Sequence, residues 1–216
     1  MKLTYFGLYG RGEPSRMAMT HAKMAFEDHR ITFAEWGPMK AAGAPYSLGL
    51  PVLEHEGTFM NQSVPILRYI GMATGAYPKD DPKLCWAADA TIEDQSDMCK
   101  DVPMMVLFGD KAADEECLAK FTEIYTKYYA HAEKQLTGHG GKYLCGDKIT
   151  IADFQIFGKI MSCAENTNHG NEVNAHVYAH LNKLVNNGDN PKFMAWIANM
   201  KAELADYLAA RPAAKL

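Results

Sequence analysis

Strand-forming runs stop early in this chain, and that asymmetry limits its fold more than any other feature. All of them lie before residue 62, and only helix-length segments follow. Strands followed by a long series of helices imply a mixed unit joined to a helical one. Leu3-Thr4-Tyr5-Phe6 is a short β-prone run that ends at Gly7, and a loop containing Gly10 and Gly12 comes next. Glu13-Pro14 then opens a helix, because proline is tolerated in the first turn and an acid suits the positive end. Met17, His21 and Met24 fall at i, i+4 and i+7, on one face of that helix.

A second strand is expected at Asp28–Thr32, and Trp36–Ala42 reads as a short helix or an ordered loop. Leu50-Pro51-Val52-Leu53-Glu54 and Thr58-Phe59-Met60 flank a Glu56-Gly57 turn, the pattern of a hairpin. Ser63 is the expected N-cap of the helix that follows, where Pro65 falls early enough to be harmless. The order is β-α-β-α-β-β-α over residues 1–75. Residues 76–81 form a polar linker, and residues 82–216 an all-helical domain, so the fold class is α+β. Helices are expected at 82–108, 113–136, 150–164, 173–185 and 191–208, with breaks at glycines. Thr150 and Asp153 have the spacing of a capping box, with Ile149 and Phe154 as its hydrophobic staple. That motif starts a helix and carries no chemistry.

Composition narrows the function. The chain has 216 residues, 48% hydrophobic and 22% charged, which suits a globular protein rather than a disordered one. A formal charge of −4 gives no basic surface for nucleic acid. No apolar run approaches the ~18 residues of a membrane helix, and the apolar start at Met1–Gly7 is too short for a secretory signal. Cys85, Cys99, Cys117, Cys145 and Cys163 are odd in number and form no CxxC, as expected of reduced thiols in the cytoplasm. Gly7, Gly10 and Gly12 do not make a dinucleotide fingerprint. His176 and His180 lie four apart without an evident third metal ligand.

Five motifs occur together in order: Leu3-Thr4-Tyr5-Phe6, Gly10-Arg11-Gly12-Glu13, Leu50-Pro51-Val52-Leu53, Asn61-Gln62-Ser63, and Gly146-Asp147-Lys148-Ile149-Thr150-Ile151-Ala152-Asp153. Together they resemble the cytosolic glutathione S-transferases, most of all the sigma class, which includes hematopoietic prostaglandin D synthase. Phe26–Ile31, Trp36 and Lys40 add to the likeness. The resemblance runs to about Ile160 and is weaker beyond.

It implies a thioredoxin-like first domain, a cytoplasmic homodimer and a detoxification enzyme. Such an enzyme activates the thiol of glutathione for conjugation to hydrophobic electrophiles, with glutathione as co-substrate and no other cofactor. Free thiols ionise near ~8.5, so the task is to stabilise thiolate. By resemblance, Tyr5 donates a hydrogen bond to the sulfur and Arg11 adds positive charge; from the residues alone, Tyr5 reads as a strand residue facing the core. By resemblance, Leu50 and a cis Pro51 meet the cysteinyl part, and Gln62 and Ser63 the γ-glutamyl carboxylate. Trp36 and Lys40 close on the glycyl end, and Asp97 reaches across the dimer. The same likeness puts Phe6, Leu8, Met98, Met104, Phe108 and Tyr207 around the electrophile; as plain helix residues, Met104 and Met105 read equally as core.

Two features depart from the family pattern. Gly49 stands where many relatives have Lys or Gln, and the stretch from Lys40 to Pro51 is about two residues longer than in the sigma enzymes. Methionine replaces the aromatic wall of prostaglandin synthase, which argues against prostaglandin synthesis. The competing reading is a non-enzymatic binding or structural protein on the same fold. Cysteine-dependent chemistry ranks last, because no cysteine stands near the end of the first strand.

Overall fold

The computed structural model describes residues 1–43, 45–46, 48–100, 115–167 and 175–214. It begins with strand β1 (Lys2–Phe6), a 3-10 turn at Gly10–Gly12, helix α1 (Glu13–His21), β2 (Glu27–Ile31) and α2 (Phe33–Ala41). The hairpin β3 (Val52–His55) and β4 (Thr58–Asn61) leads into α3 (Ser63–Thr74). The sheet order is β2-β1-β3-β4. β2 runs parallel to β1, while β3 and β4 are antiparallel, which makes the mixed thioredoxin-like sheet. Central β1 buries Leu3, Thr4 and Tyr5 in succession, as a strand covered on both faces must. The turn between β3 and β4 has Glu56 at φ 51° and Gly57 at φ 75°, the paired left-handed conformation of a two-residue hairpin.

Helices follow: α4 (Pro82–Met98), α5 (Glu115–His139), α6 (Ile151–Ser162), α7 (Ala175–Val185), α8 (Pro191–Glu203) and α9 (Ala205–Ala210). Nearly every residue of α6 is buried, and the other helices pack around it. Its N-terminus holds the expected capping box. Asp153 Oδ2 accepts from the Thr150 amide at 2.8 Å, while Oδ1 accepts from the Leu144 amide at 3.0 Å and Trp196 Nε1 at 2.9 Å. Gly158 lets α6 meet α1, because a Cβ there would stand 3.0 Å from the ring of Pro14.

Several boundaries differ from expectation. The apolar face assigned to α1 loses Met24, because the helix stops at His21 and Lys23 turns the chain at φ 54°. α2 begins at Phe33, three residues before Trp36, because Thr32 and Glu35 form a capping box that the periodicity does not reveal. The N-cap of α3 is Gln62, with Ser63 already the first helical residue. The expected last helix is two, broken at buried Leu204. Met104 and Phe108 lie outside the described residues, as does the end of the expected 82–108 helix.

Candidate active site

Tyr5 sits where β1 ends, and the glycine-rich loop folds back over its ring. A Cβ at Gly12 would stand 2.7 Å from Tyr5 Cδ1, and one at Gly10 would stand 2.9 Å from its hydroxyl. Only residues without a side chain let the loop lie this close. The close approach brings the Arg11 amide to the phenol, where its N–H donates to Tyr5 Oη at 3.1 Å. Burial pushes the Tyr5 phenol above its ordinary value of 10.0, against the Arg11 hydrogen bond and the charges of Arg11 and Arg16. The hydroxyl therefore keeps its proton at neutral pH. Because its oxygen already accepts one hydrogen bond, that proton is available to a partner.

Beneath Tyr5 lies a buried arginine, paired with an acid nearer the surface, that sequence reading missed. Arg16 is wholly enclosed: Nε donates to Asp28 Oδ1 at 2.8 Å, and Nη1 donates to the Leu8 carbonyl at 2.7 Å. Its guanidinium carbon lies 5.6 Å from the centre of the Tyr5 ring. A buried arginine needs such partners, or its charge would be stranded. The available signal was weak: Glu13 and Arg16 are three apart on one helix face.

Tyr5 opens onto a cleft of about 520 Å³ between the two halves of the molecule. Gly10, Arg11, Pro14, Ser63 and Val64 form one wall, and the ends of α4 and α6 form the other. That second wall consists of Gln95, Ser96, Cys99 and Lys100 with Gln155, Lys159, Ser162 and Cys163. Arg11, Lys100 and Lys159 put three cations into the cleft, and no carboxylate is among its described lining residues. Gln155 and Lys159 could have been found in the sequence. They are polar residues four apart and the two half-buried positions in an otherwise buried helix.

The cleft thus brings together Tyr5, Arg11 and Ser63 from the expected set. Ser63 opens α3, where unpaired backbone amides and the helix dipole favour an anion. Gln62, beside it, is exposed and held at φ 73°, a conformation that costs a non-glycine residue roughly 1–3 kcal/mol. The Leu50–Pro51 peptide bond is cis, as the resemblance implies. Gly49 just before it has φ 103°, so the residue that departs from the family pattern occupies backbone space that favours glycine.

The other described residues of the expected set are not among those lining the cleft. Phe6 stacks on Phe33 with ring centres 4.4 Å apart and meets Trp36 edge-on at 6.0 Å, so it faces α2. Lys40 is exposed in the last turn of α2. Leu8 is half-buried, with its carbonyl committed to Arg16. Asp97 is exposed near the end of α4, and Met98 packs against the core. Burial first, and then the nearby Glu13 carboxylate, hold the proton on the Tyr207 hydroxyl. No group of three or more metal-ligating side chains occurs among the described residues, and His180 is bonded to Thr122 Oγ1 at 2.8 Å.

Residues 96–200 match the family model for the glutathione S-transferase C-terminal domain. The chain is 32% identical over 163 residues to probable glutathione S-transferase 8 of Caenorhabditis elegans, covering 72% of this chain and 76% of that protein. It is 30% identical to human hematopoietic prostaglandin D synthase, covering 71% of this chain and 74% of that one. The crystal structure of the glutathione S-transferase from Ascaris lumbricoides superposes with a TM-score of 0.80 at 26% identity, covering 98% of this chain and 97% of that chain. With such identity across most of both chains and the same fold throughout, this protein belongs to the glutathione S-transferase family of enzymes.

Proposed function

We propose that the protein joins the sulfur of glutathione to hydrophobic electrophiles, with Tyr5 as the group that keeps the sulfur anionic. The supporting observation is a protonated, buried phenol facing a cleft whose described walls hold three cations and no acid. A hydroxyl that donates to sulfur stabilises thiolate over thiol, because the hydrogen bond is stronger to the ion. The Arg11 charge acts in the same direction. The sulfur then attacks the electrophile, a new carbon–sulfur bond forms, and the leaving group departs with the electron pair of its broken bond.

In this reading Gln62 and Ser63, at the start of α3, hold the γ-glutamyl carboxylate. Leu50 and Pro51 lie beside the cysteinyl backbone, which binds as an extended segment along the sheet edge. Trp36 and Lys40 hold the glycyl carboxylate, and Asp97 of a second copy meets the amino group. Phe6, Leu8, Met98, Met104, Phe108 and Tyr207 surround the electrophile, with Cys99 and Cys163 as soft additions to that wall. Glutathione is the co-substrate and no other cofactor takes part. The setting is a cytoplasmic homodimer with a detoxifying role. Exposed Phe59 on β4, Met72 on α3 and Trp86 on α4 support the dimer, since each is a large apolar side chain left 42–71% exposed in the single chain.

The test is retention on immobilised glutathione, followed by turnover with a chlorinated aromatic acceptor. Retention with turnover is expected. A folded protein that is neither retained nor active contradicts the reading.

A further inference from the structure

Residues 211 and 212, which follow α9, close over the loop that positions Tyr5. This loop runs from Tyr9 to Glu13, and the Arg11 amide in its middle meets the Tyr5 hydroxyl. Residues 211 and 212 hold both of its ends. At one end the Tyr9 hydroxyl donates to the Pro212 carbonyl at 2.9 Å, and the Arg211 guanidinium lies 4.0 Å over the Tyr9 ring. At the other, Arg211 Nη1 donates to Glu13 Oε1 at 2.9 Å. Glu13 is fully buried, and its second oxygen lies 3.5 Å from Arg16 Nη1.

Two routes therefore lead from Arg211 to Tyr5. One is the backbone from Tyr9 to Glu13. The other is the charge sequence Arg211–Glu13–Arg16, which ends beside the Tyr5 ring. The strap is tied down as well: Arg211 Nη2 donates to the Met161 carbonyl at 3.4 Å, and the Asn166 side-chain amide donates to the Ala214 carbonyl at 3.1 Å. Glu13 is shared between two cations, and without Arg211 its Oε1 would be left buried with no donor.

We propose that Arg211 is a positioning residue for sulfur activation: it clamps the Tyr9–Glu13 loop so that the Arg11 amide occupies the Tyr5 oxygen and directs the phenolic proton to the sulfur. The proposal rests on the role assigned to Tyr5 above. Arg211 acts through that loop and touches neither the sulfur nor the electrophile.

The experiment is a double-mutant cycle on the full chain. Thiolate absorbance of bound glutathione against pH, kcat and glutathione KM are measured for wild type, Arg211→Ala, Tyr5→Phe and the double variant. Arg211→Ala raises the pH at which the bound thiol ionises and lowers kcat roughly tenfold, a partial loss of one hydrogen bond to a charged sulfur. KM for glutathione changes little. The double variant is no worse than Tyr5→Phe alone, because groups acting in series are not additive. Arg211→Lys restores part of the effect, since an ammonium meets Glu13 but cannot lie flat on Tyr9.

Tyr9→Phe deletes only the bond to Pro212 and shifts both readouts in the same direction by less. It decides the question if Arg211→Ala does not fold. Unchanged ionisation and kcat in Arg211→Ala and Tyr9→Phe overturn the proposal, as does an Arg211→Ala penalty that adds in full to that of Tyr5→Phe. If Tyr5→Phe itself leaves thiol ionisation unchanged, the underlying reading fails and the proposal falls with it, so the two failures give different patterns.

Discussion

The setting of the Tyr5 hydroxyl depends on two glycines as well as on charged neighbours. Gly10 and Gly12 let the loop press on its ring, and the press brings an amide to its oxygen. Gly12→Ala places a methyl where the ring now stands, and the ring is boxed in by Arg16 behind it. The expected outcome is a loss of roughly 1–3 kcal/mol in stability, as for overpacked interiors, with a fall in kcat as the hydroxyl tips out of line. Thermal unfolding and turnover check it together. Tyr5, Arg11 and Ser63 were legible in the sequence because their motifs occur in order, and Pro51 was legible for the same reason. The left-handed backbone of Gln62 was not, since nothing about glutamine favours it. Nor was the clasp of Arg211 on Glu13, which joins residues 198 apart and leaves no local pattern.

At the scale of elements, caps and ion pairs decide how the helices meet. The Thr150–Asp153 box was plain in the sequence, but its reach was not. The same carboxylate also anchors Leu144 and Trp196, so one local motif ties α6 to α8. Glu203, in the last turn of α8, has a similar role at the surface. It accepts from Lys142 Nζ at 2.8 Å and the Tyr143 hydroxyl at 2.7 Å, and lies 3.6 Å from His21 on α1. Those partners pull its carboxyl from an ordinary 4.5 down to about 2. A folded value below the unfolded one gives stability that is fully present above pH 4.5 and lost as pH falls towards 2. Glu203→Gln is therefore expected to lower stability at pH 7, by roughly 1 kcal/mol because the site is partly exposed. Near pH 2 the variant and wild type converge. Denaturant titrations at the two pH values check the sign.

Across the whole molecule, the division into a mixed sheet and a helical body was legible from the early end of the strand signals. The break at Leu204 was not, because an apolar residue inside an apolar periodic run gives no stop signal. That break matters, since it redirects α9 and so lets Arg211 return to the N-terminal loop. The uncovered side chains on β4, α3 and α4 bear on assembly. Trp86 is 71% exposed, too large an apolar surface to be neutral if it lies in the face of the proposed homodimer. Trp86→Glu is expected to turn a dimer into a monomer in sedimentation, with the fold kept by circular dichroism; a dimer unaffected by the charge would place the contact elsewhere. The proposed function turns on one event, the ionisation of a bound thiol. The most direct test is the pH dependence of kcat/KM for wild type and Tyr5→Phe. The expected result is an acid limb well below the free-thiol range in wild type, displaced upward by about one to two pH units when the hydroxyl is removed, as a charged hydrogen bond requires. An acid limb that stays where it was in Tyr5→Phe would contradict the account.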